Sequence, residues 1–226
     1  MREFDVSSET VRRDLFLLEK KGLLKRVYGG AISSVAANIP FAVREGDMRP
    51  QKEEIARKAI SLISDGDIIA IDSGTTGLVM AELLLQEEKR VTVLTHSLVA
   101  FQTLVQSPYI KVYLTGGEYM AEESALCGII AEANIKSFHV NKIFLCPAGV
   151  SLSHGYTDFS DQLANLSRTY LSIADKAIYL IDSSKFEHAA FMKICEVKEG
   201  DIIITDSELS FDTQRQYEQR KITVLK

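Results

Sequence analysis

Tryptophan is missing from the 226 residues, proline occurs four times and cysteine three times. Cys127, Cys146 and Cys195 are odd in number and widely spaced, with no CxxC pair and no histidine at ligand spacing. That pattern excludes a disulfide framework and a zinc ribbon, and leaves free, mostly buried thiols with no metal site. Long apolar runs are lacking too. Stretches such as Ile68 to Ile71 and Leu83 to Leu85 stop far short of the roughly 20 residues a membrane helix needs, so no membrane partner is expected. The opening residues MREFDVSSETVRRD carry charge where a secretory signal has its apolar stretch, so a cytoplasmic location is expected. The net charge of -5 argues against a protein whose whole surface grips nucleic acid. Neither a P-loop nor a GxGxxG following a strand is present, which argues against ATP and NAD; no cofactor is expected.

What is there is unevenly distributed. Residues 1–30 hold seven basic and five acidic side chains, net +2, leaving -7 on the other 196 residues. This reads as a small basic module (1–32), a linker (33–52) containing two of the four prolines, and an acidic globular domain (53–226). From residue 53 onward, amphipathic helical stretches alternate with short β-rich runs. That is the signature of a mostly parallel open α/β sheet with helices on both faces. The strands drawn are Ile68 to Asp72, Val91 to Thr95, Ile110 to Thr115, Lys142 to Cys146, Ala177 to Asp182, Ile202 to Thr205 and Thr223 to Leu225. Helices fall on the face Ile55, Ala59, Ile60 and Ile63, and near Leu78 to Leu85, Leu98 to Val105, Glu123 to Ile135, Asp161 to Ile173 and Asp212 to Gln219.

Six of these strands run into small, polar or glycine-bearing ends, among them Asp72 to Thr76, Thr95-His96-Ser97, Thr115-Gly116-Gly117, Pro147-Ala148-Gly149 and Asp182 to Lys185. Since carboxyl ends of strands line the crevice of open α/β sheets, a small molecule is expected there. Ser73-Gly74-Thr75-Thr76 lies between a strand and a helix, so its N–H groups and hydroxyls suit a phosphate, although Ser or Thr at a helix start is ordinarily an N-cap. Lys185 either brings positive charge to that crevice or is solvated. His96 and Asp158 either bond sugar hydroxyls or cap turns. His139, His154 and His188 have no partners at readable spacing.

At the front, Val6 to Gly22 reads as a helix with Ser7 as N-cap, Gly22 beyond its end and Val11, Leu15 and Leu18 as the buried stripe. Ser8, Thr10, Arg12 and Arg13 then lie where a recognition helix meets DNA. Leu23 to Val27, then Gly29-Gly30 and Ala31 to Ser33, read as a short hairpin wing bringing Lys25 and Arg26 to phosphates.

VSSETVRRDLFLLEKKGLLKRVYGGA resembles the DNA-binding signature of the DeoR family of bacterial transcriptional regulators. The rest resembles that family's sensor domain in DGDIIAIDSGTT, VLTHS, LTGGEY, CG (127 to 128), AGVS with GYTDF, and IDSSKF. Asn141 and Tyr28 depart from the family's more usual Asp and His. The resemblance implies a winged helix-turn-helix ahead of a sensor similar in fold to ribose-5-phosphate isomerase. It implies a repressor of carbohydrate metabolism genes controlled by a phosphorylated sugar, with Ser73 to Thr76 on the phosphate. Asp72, Thr95, His96, Ser97, Gly116, Gly117, Gly149, Asp158 and Lys185 would line the pocket. Family members carry about two further helices ahead of the recognition helix, as a helix-turn-helix needs. The DNA-binding unit is therefore expected to be partial, and binding to a double-stranded operator weak or absent. A palindromic operator calls for a homo-oligomer. The competing readings are a sugar-phosphate aldose-ketose isomerase and a ligand-binding module without DNA activity. An isomerase needs a carboxylate base, and Gln162 stands where family members often have Glu, so no enzyme activity is expected.

Overall fold

In the computed structural model of the chain, residues 8–20, 24–27, 30–33 and 41–226 are described. The first helix, α1 (Ser8–Lys20), is followed by the antiparallel pair β1 (Leu24–Val27) and β2 (Gly30–Ser33), with Lys25 opposite Ile32. Helix and wing thus form as the sequence implies. The expected caps Ser7 and Gly22 lie outside the described residues, as do Tyr28 and the side chains of Ser8, Lys25 and Arg26. The expected stripe is only partly covered: Val11 and Leu15 are half-buried, whereas Leu18 is exposed beside exposed Phe16 and Leu17. A hairpin of two four-residue strands has too little surface to cover an entire helix face.

The segment read as a linker starts the packing of the second domain. Helix α2 (Phe41–Arg44) sinks Phe41 to 3% exposure, and the Phe41 N–H donates to the Glu122 carbonyl at 2.7 Å. Helix α3 (Arg49–Ser61) begins eight residues before Arg57, with Pro50 in its first turn, where the missing N–H costs nothing. Prolines 40 and 50 looked like linker punctuation; Pro50 is a helix start.

A parallel sheet of seven strands follows. Its strands are β3 (Ile68–Ile71), β4 (Val91–Thr95), β5 (Ile110–Leu114), β8 (Val140–Leu145), β11 (Ala174–Leu180), β13 (Ile202–Ile204) and β14 (Thr223–Leu225), in the order β14-β13-β11-β8-β3-β4-β5. Side-chain alternation divides the core in two. Ile69 and Ile71 face α3, α4 (Thr75–Leu85) and α5 (Leu98–Leu104), while Ala70 faces α6 (Gly128–Ile135), α7 (Asp161–Ile173) and α8 (Phe211–Glu218). Both faces being covered explains why the strands read as nearly continuous apolar runs.

Between β5 and α6 stands a hairpin, β6 (Glu118–Met120) with β7 (Ala125–Cys127). The helix expected over Glu123 to Ile135 therefore begins only at Gly128. Ala125 and Cys127 are fully buried with Leu126 half-buried between them, a period of two rather than 3.6, and Gly128 (φ 84) makes the turn into α6. A second small sheet, β12 (Met192–Cys195), β10 (Gly155–Asp158) and β9 (Gly149–Ser151), sits beside the carboxyl ends. Asn141 donates no charge; its side-chain oxygen accepts the Ile68 N–H at 2.9 Å, stitching β8 to β3. No helix among the described residues is long and apolar enough to cross a membrane.

Candidate functional site

The strand order fixes where the crevice opens. From β3 the chain steps outward to β4 and β5, then returns to lay β8 on the other side of β3 and steps outward again. The connections above the carboxyl ends of β3 and β8 consequently run apart, leaving a gap between them. Asp72 bridges that gap: one carboxylate oxygen accepts the Ser73 N–H and the other the Cys146 N–H, each at 2.9 Å.

Over this point lies a cleft lined by Arg44, Asp72, Ser73, Gly74, Glu123, Cys146, Ala148, Asp158, Phe159, Leu163 and Lys185. One end offers donors. Gly74 has φ 114, and a Cβ there would stand 3.3 Å from that of Cys146, so glycine alone brings the backbone over the cleft unstrained. No side chain caps α4, in contrast to Ser97, Ser160 and Ser210, which cap α5, α7 and α8. The N-cap alternative for the SGTT sequence therefore fails: Gly74 offers the first turn of α4 no side-chain acceptor, and within that turn the Gly77 N–H meets the Cys146 sulfur. Lys185, in a short 3-10 turn (Ser183–Lys185) after β11, is 26% exposed with Nζ 3.4 Å from Asp182 Oδ2. An adjoining recess lined by Arg44, Asp47, Met48, Lys52, Thr75, Asp182, Ser184 and Lys185 adds a third cation, Lys52, beside Arg44 and Lys185, with two carboxylates among them. Lys52 is 4% exposed and donates to the Arg44 carbonyl at 2.7 Å; burial, aided by the nearby Lys185 charge, pulls its ammonium down to about 8.

Carboxylates dominate the other end. Asp158 accepts the Phe159 and Ser160 N–H groups on one oxygen, and Glu123 is buried against Arg44. Burial pushes Asp72 up to about 7 and Asp158 up to about 6, the two repelling one another and Glu123. Carboxylic acids near half-protonation both accept and donate hydrogen bonds. A molecule with an anionic end and several hydroxyls matches the whole cleft.

Because Asp158 is protonated more readily folded than unfolded, its contribution to stability is lost as pH rises through the folded value. Asp158→Asn is therefore expected to grow more stable relative to the parent between about pH 4 and about pH 6, by up to ~2 kcal/mol, with a constant difference above that. Urea unfolding of both proteins across that range measures the difference; a pH-independent offset would contradict it.

Of the residues singled out in the sequence, Asp72, Ser73, Gly74, Asp158 and Lys185 meet at the cleft, and Thr75 borders the adjoining recess. Others have different work. Thr76 is buried in the first turn of α4. Thr95 Oγ1 donates to the Ile71 carbonyl and accepts the Ser97 N–H, and Ser97 caps α5. His96 is wholly buried behind Asp72, with Nδ1 3.3 Å from the Tyr170 hydroxyl and Nε2 3.5 Å from Asp72 Oδ1 without a hydrogen bond. Burial pulls its imidazole down to about 4, so it supports Asp72 as a neutral ring. Gly116 donates to Asn134, and a Cβ on Gly117 or Gly149 would lie 2.5 Å from the carbonyl oxygen of Cys127 or His188. These glycines permit close packing.

Arg44, Lys52 and Glu123 were missed. The first two lie in the supposed linker, where the helical face Ile55-Ala59-Ile60 extended backward from residue 55 was the available signal. On α1, Thr10, Arg12 and Arg13 are exposed, forming a polar surface with Glu9 and Asp14.

Residues 48–207 match the model of the DeoR C-terminal sensor domain, and residues 1–35 that of the DeoR-like helix-turn-helix domain. The chain belongs to the DeoR family. It is 34% identical to the HTH-type transcriptional regulator YulB of Bacillus subtilis over 98% of this chain and 86% of that protein. It is 35% identical to the lactose phosphotransferase system repressor of Lactococcus lactis (99% and 89% covered), and 32% identical to the L-fucose operon activator of Haemophilus influenzae (98% and 89%). Among solved structures, ribose 5-phosphate isomerase A of Methanocaldococcus jannaschii shows 18% identity and a TM-score of 0.44 over 60% of this chain and 53% of that one. This DeoR-family chain is a DNA-binding transcriptional regulator.

Proposed function

We propose that this regulator acts as a repressor of carbohydrate metabolism genes and that a phosphorylated sugar bound in the cleft controls it. The carrying observation is the polarity of the cleft: uncapped α4 with Gly74 and Lys185 at one end, Asp72, Asp158 and Glu123 at the other. The phosphate lies on Ser73 to Thr75 and Lys185, and the sugar hydroxyls on the carboxylates. Relatives named as a lactose phosphotransferase system repressor and an L-fucose operon activator support the carbohydrate class. Calorimetric titration with pentose and hexose phosphates and with the parent sugars tests this reading. The phosphorylated form should bind at least about 100-fold more tightly, the factor expected for two or more charge-assisted hydrogen bonds. Equal affinity would remove the phosphate from this site.

Operator contact is assigned to α1 through Ser8, Thr10, Arg12 and Arg13, with Lys25 and Arg26 on phosphates, in a homo-oligomer matching a two-fold operator. Arg12→Ala combined with Arg13→Ala should weaken binding to a DNA fragment selected by the protein from random sequence. It should also flatten the dependence on salt by up to about two units in log-log slope. A mobility-shift series across salt concentrations reads both; unchanged slope and affinity would place DNA elsewhere.

A further inference from the structure

Arg44 occupies an unusual place for a cleft residue. It ends the four-residue helix α2, and only residues 34–40 separate that helix from β2 of the DNA-binding module. Its Nη2 lies 2.6 Å from Oε1 and 2.5 Å from Oε2 of buried Glu123, on the turn between β6 and β7. Three further contacts hold the same segment down: the buried Phe41 ring, the Phe41 N–H on the Glu122 carbonyl, and Lys52 Nζ on the Arg44 carbonyl. Of these fastenings, the Arg44–Glu123 pair borders the cleft with both its side chains.

We propose that this ion pair is a latch through which an anionic occupant of the cleft acts on the segment leading to the DNA-binding module. The inference rests on the sugar-phosphate reading above and adds the route by which occupancy is felt. An anion seated on the start of α4 and Lys185 competes with Glu123 for the Arg44 guanidinium, because one fork of donors now faces two anions. Glu123, buried near Asp158 and Asp72, cannot lose its cation without compensation. Ligand hydroxyls donating to Glu123 supply that compensation, so a ligand carrying both anion and hydroxyls opens the latch and inorganic phosphate does so poorly. Once Arg44 changes partner, α2 loses one of its fastenings, and the chain toward β2 is freed at its near end. Ligand and DNA affinities are then linked reciprocally.

Hydrogen–deuterium exchange on the whole chain tests this. Ribose 5-phosphate, fructose 6-phosphate and glucose 6-phosphate at saturating concentration are the probes, with inorganic phosphate for comparison. In the parent protein, a sugar phosphate that binds should speed exchange in a peptide covering residues 41–47 by about tenfold, the factor that the net loss of one hydrogen bond gives to local opening. Glu123→Gln should show that faster exchange already without ligand, and adding ligand should change it little. Phe41→Leu, which leaves the cleft lining untouched, should loosen the same peptide yet keep the ligand response, because the ion pair remains. Arg44→Lys, which keeps a cation opposite Glu123, should exchange more slowly than Glu123→Gln and retain part of the ligand response. Binding to the parent without any change at 41–47, or a full ligand response in Glu123→Gln, overturns the latch while leaving the sugar-phosphate site standing. Failure of every sugar phosphate to bind the parent overturns both.

Discussion

Lys185→Glu should abolish the preference for phosphorylated over unphosphorylated sugars. Lys185 is three-quarters buried at the donor end of the cleft, beside Gly74 and Ser73, with Asp182 as its neighbour. The substitution removes one charge-assisted hydrogen bond and puts a carboxylate where the phosphate arrives. Loss of the bond accounts for ~2 kcal/mol and repulsion for a comparable amount, so phosphate-ester affinity should fall by at least about 100-fold. The parent sugar, which relies on the carboxylates at the other end, should bind within a few-fold of its former affinity. Lys185→Met separates the two contributions, since it loses the donor without adding a charge, and should fall between. Calorimetry with paired sugars and sugar phosphates reads all three proteins. Equal losses for sugar and sugar phosphate would mean that Lys185 orders the pocket as a whole and does not meet the phosphate.

The sequence displays the strands and their loops because both depend on neighbours in the chain. Apolar runs ending in Asp72-Ser73-Gly74 or Thr95-His96-Ser97 announce a strand followed by a turn whatever lies across the sheet. The order of strands decides which loops share a crevice, and that order is set by long-range pairing. Asp72 and Cys146 come together because β8 returns beside β3, 74 residues later. Thr95-His96-Ser97 has the same local texture as the true cleft loops but follows β4, one strand away from the gap, so its polar groups turn inward as cap and prop. Arg44 and Glu123 are 79 residues apart and have no shared pattern in the chain. Their pairing depends on α2 being laid over the β6–β7 turn by the burial of Phe41, a single aromatic between stretches that look like linker. The two-residue period of Ala125-Leu126-Cys127 was present in the sequence, but it is three residues long and merges with the helical run after Gly128.

Gly77→Ala should cost both stability and ligand binding, although Gly77 lies on the inner side of α4 and touches no ligand position. A Cβ at residue 77 would sit 2.6 Å from the Asp72 carbonyl oxygen and 3.5 Å from Ile71 Cγ2. The obstacle is backbone, which no side-chain rotation relieves, so α4 must lift away from the end of β3 by several tenths of an ångström. Overpacking of this kind costs about 1–3 kcal/mol, which for a chain of this size lowers the melting temperature by roughly 2–12 °C. The displaced first turn carries the Thr75 N–H with it, and hydrogen bonds to a phosphate lose strength steeply once donors leave their line. Sugar-phosphate affinity should therefore drop by about tenfold or more in protein that is still folded at the temperature of the titration. Gly46→Ala is the control, since a Cβ there meets nothing within 4 Å, and it should change neither quantity. Differential scanning calorimetry and titration of the two variants give the answer. A Gly77→Ala protein that melts with the parent and binds the phosphate ester equally well would mean that α4 is seated more loosely on β3 than its 2.6 Å approach requires.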